Sequence, residues 1–361
     1  MSTTGPTQDA KAVSGGSEPH AGGGHGGHLS EVKFHKIAIV GAGAIGGWIG
    51  VHLARAGAQL SVLARGATLT ALQTHGLQLQ QAGALHRVPV QASNDAAALG
   101  VQDLVVISVK APALASVAQQ IGPLIGPQTV VLTAMNGVPW WFLHGFGGPV
   151  QGRSLSSIDP QGSIAQAIPA VHIVGGVVHA SCSVDAPGVI RHHFGDGLIV
   201  GEPSGQATAR VQALHALLQQ AGFNATLSPQ IQKDIWFKLW GNMTVNPVSA
   251  LTGATSDRLL DDALVRGFMS RVMLEAKAIG ERIGIPIAQA PEDRHAVTRK
   301  LGAFRTSMLQ DVQAGKPVEL DALVTAVREL GQMTGVDTPF TDALLGLSRL
   351  HASVLGLYPP Q

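Results

Sequence analysis

Three groups of residues have the types and spacing to do chemistry. The first lies between the apolar run Ile37-Ala38-Ile39-Val40 and a stretch of helical composition, Trp48–Ala56: it reads Gly41-Ala42-Gly43-Ala44-Ile45-Gly46. The first glycine permits a tight turn out of a strand. The second lets a pyrophosphate approach backbone N–H groups at a helix N-terminus, and the third lets helix and strand pack closely. The chain holds 45 glycines, so the spacing alone says little. Its place between a strand and a helix, with a second strand following, is the context a dinucleotide loop demands. That second strand, Leu60–Ala64, runs into Arg65. A carboxylate there would accept bonds from a ribose 2′-hydroxyl, whereas a guanidinium pairs with a 2′-phosphate. The loop is therefore expected to hold NADP(H), the plainer alternative being a solvated loop arginine.

The second group is Trp236-Phe237-Lys238-Leu239-Trp240-Gly241-Asn242-Met243-Thr244-Val245-Asn246-Pro247. On a helix Lys238 and Asn242 share a face, and Asn246 carries the stripe to a helix end expected before Pro247. A lysine among four large apolar side chains either snorkels to solvent or points into a cavity; two amides on its stripe favour a polar pocket. The third group is Thr306-Ser307-Met308-Leu309-Gln310-Asp311 followed by Lys316-Pro317-Val318-Glu319-Leu320-Asp321. Glu319 stands in the first turn of a helix, where stabilising the helix dipole is the simpler role.

These groups need a scaffold. Leu104–Val109 and Thr129–Met135 are further apolar strands, ending at Lys110 and Asn136. Parallel sheets bind ligands beyond the carboxyl ends of their strands, and Arg65, Lys110 and Asn136 all sit at such ends. Ile173–Val178, Val189–His192 and Leu198–Val200 read as hairpin strands added at the sheet edge. From Pro229 onward the strand signals stop, and Ile231–Val245, Asp261–Ile283, Ala296–Ala314 and Leu320–Thr334 have helical composition, with breaks at Pro286, Pro291, Pro317 and Pro339. The expected fold is an α/β N-terminal Rossmann-type dinucleotide-binding domain over 34–228 plus an all-α C-terminal domain over 229–361. Its length of 361 residues agrees, since single cores stop growing at roughly 250–300 residues.

Composition excludes other classes. With 24 basic against 23 acidic side chains the net charge is +1, which offers no footprint for nucleic acid or an anionic membrane. No run reaches the ~18 apolar residues of a spanning helix. Cys182 is the single cysteine, so no internal disulfide can form and a cytoplasmic location is expected; its strand-like setting reads as structural. Residues 1–33, rich in Gly, Ser and His, are expected to be a disordered tail; His20, His25 and His28 could hold a metal adventitiously, but a flexible tail is the simpler reading. No metal constellation is otherwise expected.

In this order, from Phe34 to about Pro339, the motifs resemble the ketopantoate reductase (2-dehydropantoate 2-reductase) family. The glycine loop is widely shared; the lysine–asparagine helix, the Ser-Met-Leu-Gln-Asp run and a glutamate twelve residues after its serine are more specific. The resemblance implies NADPH-dependent reduction of ketopantoate to pantoate, in pantothenate biosynthesis. It makes Lys238 the general acid and Glu319 its acidic partner. Asn136, Asn242 and Asn246 would orient substrate and lysine, and Ser307 would bond the substrate carboxylate. Arg65 and Lys110 would lie near the 2′-phosphate, and Asn136 and Glu319 beside the cofactor that Gly41 to Gly46 hold. The partner implied is a small-molecule 2-oxo acid; a homodimer is compatible with the resemblance, and the residues do not set the oligomeric state. Departures fall at Ser256, where the family often has Asn, at Val324-Thr325, where it commonly has Asn-Gly, at Phe304, where it can have a polar substrate contact, and in the aromatic loop Trp140-Trp141-Phe142-Leu143-His144-Gly145. They leave open another small 2-oxo acid as substrate, or a non-catalytic NADPH-binding sensor.

Overall fold

The structure, a computed structural model, describes residues 32–145 and 147–359. The tail histidines His20, His25 and His28 lie outside the described residues. Among the described residues ten strands form one sheet: β1 (Lys36–Val40), β2 (Gln59–Leu63), β3 (Leu77–Gln81), β4 (Ala84–Val88), β5 (Gln91–Ser93), β6 (Gln102–Ile107), β7 (Ile125–Thr133), β8 (Ile173–Ala186), β9 (Val189–Gly201) and β10 (Asn224–Leu227). Their order is β4-β3-β9-β8-β7-β6-β1-β2-β5, with β10 beside β9. The block β8-β7-β6-β1-β2-β5 is parallel throughout. Its centre, β1 and β6, is apolar and buried on both faces, as strands covered by helices must be. Helices α1 (Ala44–Arg55), α2 (Gly66–His75) and α6 (Ala209–Gln220), with the short α3 (Ala96–Leu99), α4 (Leu114–Ala118) and α5 (Ser163–Ala167), accompany these strands.

After Leu227 the described residues contain no strand. They form α7 (Ile231–Thr252), α8 (Ser256–Asp261), α9 (Ala263–Ile283), α10 (Pro291–Arg299), α11 (Ser307–Gln313), a π-turn at Asp321–Thr325 leading into α12 (Ala326–Thr334), and α13 (Pro339–Val354). The fold is thus a Rossmann-type α/β portion followed by helices. Among the described residues no helix is long and apolar enough to cross a membrane.

Several elements correct the sequence reading. The strands after Val171 are two long partners, β8 and β9, and they lie inside the sheet rather than at its edge, because the β3–β4 hairpin extends it on the far side. That hairpin is glutamine-rich and so carries little apolar alternation, yet Ala82 and Gly83 at its turn both take positive φ. Helix α7 continues through Pro247 to Thr252. An interior proline costs about 3 kcal/mol. Here every residue from Met243 to Ala250 is buried, and that packing holds the helix. The expected helix 296–314 is instead α10 and α11 with a break between them, and α13, with Pro339 in its first turn, goes beyond the proline read as a stop.

Candidate active site

The glycine loop is shaped by contacts. Gly41 has φ +98°, and a Cβ there would stand 2.7 Å from Val109 N. At Gly46 a Cβ would stand 2.2 Å from Gly41 O and 2.1 Å from Ser108 Oγ, so helix and strand approach as closely as glycine allows. Gly43 has no heavy atom within 4 Å of its Cβ position. It occupies the N-cap of α1 and offers no side-chain cap, so first-turn N–H groups, beginning with those of Ala44 and Ile45, face outward with only Ala42 and Gly43 before them. This cradle fits a pyrophosphate. Arg65 follows β2 as the exposed N-cap of α2, and among the described residues its side chain makes no ion pair. Lys110, beyond β6, is ion-paired with Asp311 of α11.

Lys238 projects from α7 towards the carboxyl ends of the strands. Its ammonium donates to Asn136 Oδ1 at 2.9 Å and to the Val178 carbonyl at 2.7 Å. Burial pushes the lysine down to about 8; the Glu319 carboxylate opposes this and the Arg294 guanidinium adds to it. Asn242, one turn on, lines the same cleft with Met135, Gly137, Val177, Ile235 and Leu239. Glu319 is buried at its Oε1, where it accepts from the Ala111 N–H at 3.0 Å. Burial raises its pKa, with Asp311 adding to the rise and the Ala111 bond, Lys110 and Lys238 opposing it.

The turn after β7 is tied to the helices. Gly137 has φ +80°, and a Cβ there would meet the Ala322 carbonyl at 2.5 Å. The next residue, Val138, donates its N–H to that same carbonyl at 2.8 Å. Ala322 lies in the π-turn, which frees carbonyls from the helical ladder and recurs at functional sites. Asn136 is thereby fixed opposite Lys238.

The structure thus brings Asn136, Lys238 and Asn242 to one cleft, with Glu319 near enough to act on the lysine. Asn246 sits further along α7 and donates to Ser307 Oγ at 3.4 Å, at the start of α11. Arg65 is at the other end of the sheet's ligand edge. Sequence reasoning missed the Val178 carbonyl, because a backbone acceptor leaves no mark in side-chain types. It also missed Arg294, whose charge lowers the lysine's pKa, and His179, whose own pKa is lowered by burial and then by Lys238 and Arg294. Cys182 lies in β8, and burial pushes its thiol up to about 12, far from a thiolate nucleophile. Among the described residues no group of three or more His, Cys, Asp or Glu is placed to hold a metal.

The family models for ketopantoate reductase (PanE/ApbA) match residues 37–205 and, for its C-terminal part, residues 230–352. The chain belongs to the ketopantoate reductase family. A 2-dehydropantoate 2-reductase from Mesorhizobium japonicum is 45% identical over 324 residues, 90% of this chain and 99% of the relative. The solved structure of a candidate ketopantoate reductase from Ralstonia solanacearum MolK2 superposes with a TM-score of 0.88 at 60% identity, covering 90% of this chain and all of that one. A family ketopantoate reductase from Ralstonia eutropha JMP134 gives 0.76 at 26% identity, over 89% and 99% of the two chains. A D-mandelate dehydrogenase solved with NADH and anilino(oxo)acetate gives 0.77 at 22% identity, over 89% and 99%, a likeness of fold.

Proposed function

We propose that this protein is an NADPH-dependent reductase of 2-dehydropantoate, giving pantoate for pantothenate synthesis in the cytoplasm. The observation that carries this is Lys238: an ammonium held by Asn136 and the Val178 carbonyl in a cleft at the carboxyl ends of the strands, with a pK lowered by burial to about 8. It agrees with the 45% identical reductase from Mesorhizobium japonicum.

In this reading residues 34–228 hold the cofactor and 229–361 supply the substrate side. The Gly41-Ala42-Gly43-Ala44-Ile45-Gly46 cradle takes the pyrophosphate, Arg65 and Lys110 face the 2′-phosphate, and Asn136 and Glu319 border the nicotinamide end. Bound NADPH supplies the hydride that reduces the ketone carbon. Lys238 donates its proton to the carbonyl oxygen, so that the alkoxide is never free, and its positive charge stabilises the oxygen as negative charge builds there. Asn136 fixes the ammonium from the strand side, and Asn242 offers an amide to the substrate one turn along. Asn246 and Ser307 form a neutral pair that hydrogen-bonds the acid end. Glu319 keeps Lys238 cationic and accepts from a substrate hydroxyl. A homodimer belongs to the same reading. It is supported by exposed Leu347, Leu350 and Val354 on α13 and by a related structure described as a dimeric ketopantoate reductase from Staphylococcus aureus.

The test is loss of NADPH absorbance on adding ketopantoate, with NADH and a panel of other 2-oxo acids alongside. Preferential oxidation of NADPH by ketopantoate is expected. A preference of under about tenfold over the panel, little over 1 kcal/mol of discrimination, would move the assignment to another 2-oxo acid.

A further inference from the structure

Helix α10 carries Arg294, a side chain with no part in the chemistry so far. The guanidinium lies in a niche in the side of α7. A Cβ built on Gly241 would stand 2.6 Å from Arg294 Nε and 2.7 Å from Nη2, so a side chain at 241 would expel it. Its Cζ is 6.0 Å from the Phe237 ring centroid, at the outer limit of a cation–π contact. Phe237 and Gly241 immediately precede Lys238 and Asn242, and on a helix that places them on the adjoining stripe, about 100° round from the cleft.

Arg294 Nε is buried and has no hydrogen-bond partner. Among the described residues the guanidinium makes no ion pair and its side chain donates no hydrogen bond. A cation partly removed from water with neither an anion nor a hydrogen-bond acceptor beside it is unfavourable, and burial depresses its pKa accordingly. Its charge reaches the cleft: after burial, Arg294 lowers the pKa of Lys238, and with Lys238 it lowers that of His179, the residue after Val178. The other cations here are committed. Lys238 is bonded to two oxygens and its proton is destined for the ketone, and Lys110 is paired with Asp311. Ser307 contributes only a neutral hydroxyl. A 2-oxo acid brings a carboxylate whose charge needs a counter-ion, and a guanidinium meets a carboxylate through two parallel hydrogen bonds.

We propose that Arg294 is the charged receptor for the substrate carboxylate, and that Gly241 is the residue that lets its guanidinium lie against the substrate-binding helix. This rests on the reading of the cleft as a 2-oxo acid site and adds the group that selects acids over their neutral counterparts.

The test is calorimetric titration of the NADP⁺-loaded protein with 2-oxoisovalerate and with its methyl ester, which keeps the ketone and removes the charge. The wild type is expected to bind the acid at least ~30-fold more tightly, the scale of losing one partner of a desolvated charge pair. Arg294→Gln is expected to abolish that preference while leaving NADPH affinity unchanged. Arg294→Lys, which keeps the charge and loses the fork, is expected to retain part of it and provides the readout should the glutamine variant not fold. An Arg294 variant with the wild-type preference, or a wild type that binds acid and ester alike or binds neither, overturns the proposal. Discriminating binding without NADPH oxidation by any 2-oxo acid would overturn the reductase reading and leave this receptor standing.

Discussion

The ammonium of Lys238 has two oxygens fixed against it, so its proton donors are aimed before substrate arrives. Because burial lowers its pK to about 8, more than Glu319 restores, the lysine titrates within the range where an enzyme can be assayed. Reduction needs the ammonium and oxidation the free amine. The reductive kcat/KM is therefore expected to fall about tenfold per pH unit above roughly 8, and the oxidative one to fall below it. After burial, the charges that set this edge are Glu319, which raises it, and Arg294, which lowers it; His179 faces the same lysine. A reductive profile flat from pH 7 to 9.5 would remove Lys238 as the acid. Lys238→Ala is expected to lose about 10²–10⁴ in turnover with NADPH affinity nearly unchanged, as general acids do when deleted. Arg65 makes a separate claim. If it reads the 2′-phosphate, Arg65→Asp weakens NADPH far more than NADH, and equal losses in direct binding would show that it reads neither.

At the scale of elements, the turn after β7 does the positioning. Gly137 must hold φ +80° with the Ala322 carbonyl 2.5 Å from where a Cβ would sit, while Val138 bonds that carbonyl. Gly137→Ala meets backbone on one side and a disfavoured dihedral on the other, and neither can yield cheaply. It is expected to cost about 1–3 kcal/mol of stability and, by displacing Asn136, to lower kcat more than it weakens NADPH. Unchanged kcat in a folded variant would show that the turn does not set the lysine. The glycine of this turn was visible in the sequence as the end of an apolar strand; its partner was not, since a π-turn carbonyl has no residue signature. The same division runs through the fold. β1, β6 and the loop at Gly41 were legible because parallel strands and tight turns leave dense apolar runs and glycines. β3, β4 and the inward place of β8 and β9 were not, because polar strands pair through backbone, and order in a sheet is fixed by long-range contacts. Pro247 misled because burial of both neighbouring turns outweighs the local cost. Lys238, Asn136 and Asn242 were readable as types at strand and helix positions, and the structure places them in one cleft. Arg294 was opaque: nothing in Asp293-Arg294-His295 announces that Gly241, over fifty residues earlier, makes room for it.

In the whole molecule, among the described residues, one of two buried apolar clusters spans both portions, while the other lies within the sheet portion. Ala38, Val40, Val105 and Ile107 of the sheet belong to the same apolar cluster as Trp236, Trp240, Met269 and Leu330 of the helices. Polar ties cross the same boundary: Lys110 to Asp311, Ala111 N–H to Glu319, and the loop Ser156-Ser157 to Glu329 of α12. A core this continuous should unfold cooperatively, so weakening one tie ought to lower the stability of the whole rather than detach a part. Glu329 tests this away from the cleft. Its carboxylate accepts from Ser156 N at 2.7 Å, Ser156 Oγ at 2.8 Å and Ser157 N at 2.9 Å. Burial alone would raise its pKa, but these bonds outweigh it and hold the group below the usual glutamate range. The sign follows: stability from Glu329 is complete above the ordinary glutamate pKa and drains away as pH falls through the lower folded value. Glu329→Ala is expected to cost about 1–3 kcal/mol at pH 7, the scale of hydrogen bonds to a charged acceptor on a partly exposed site. Differential scanning calorimetry should show one transition displaced to lower temperature, with the gap from wild type closing as pH falls below the usual glutamate range. A second transition appearing in the variant would mean that sheet and helices unfold as separate units despite their common core. A gap independent of pH would mean that the loss comes from packing rather than from the carboxylate.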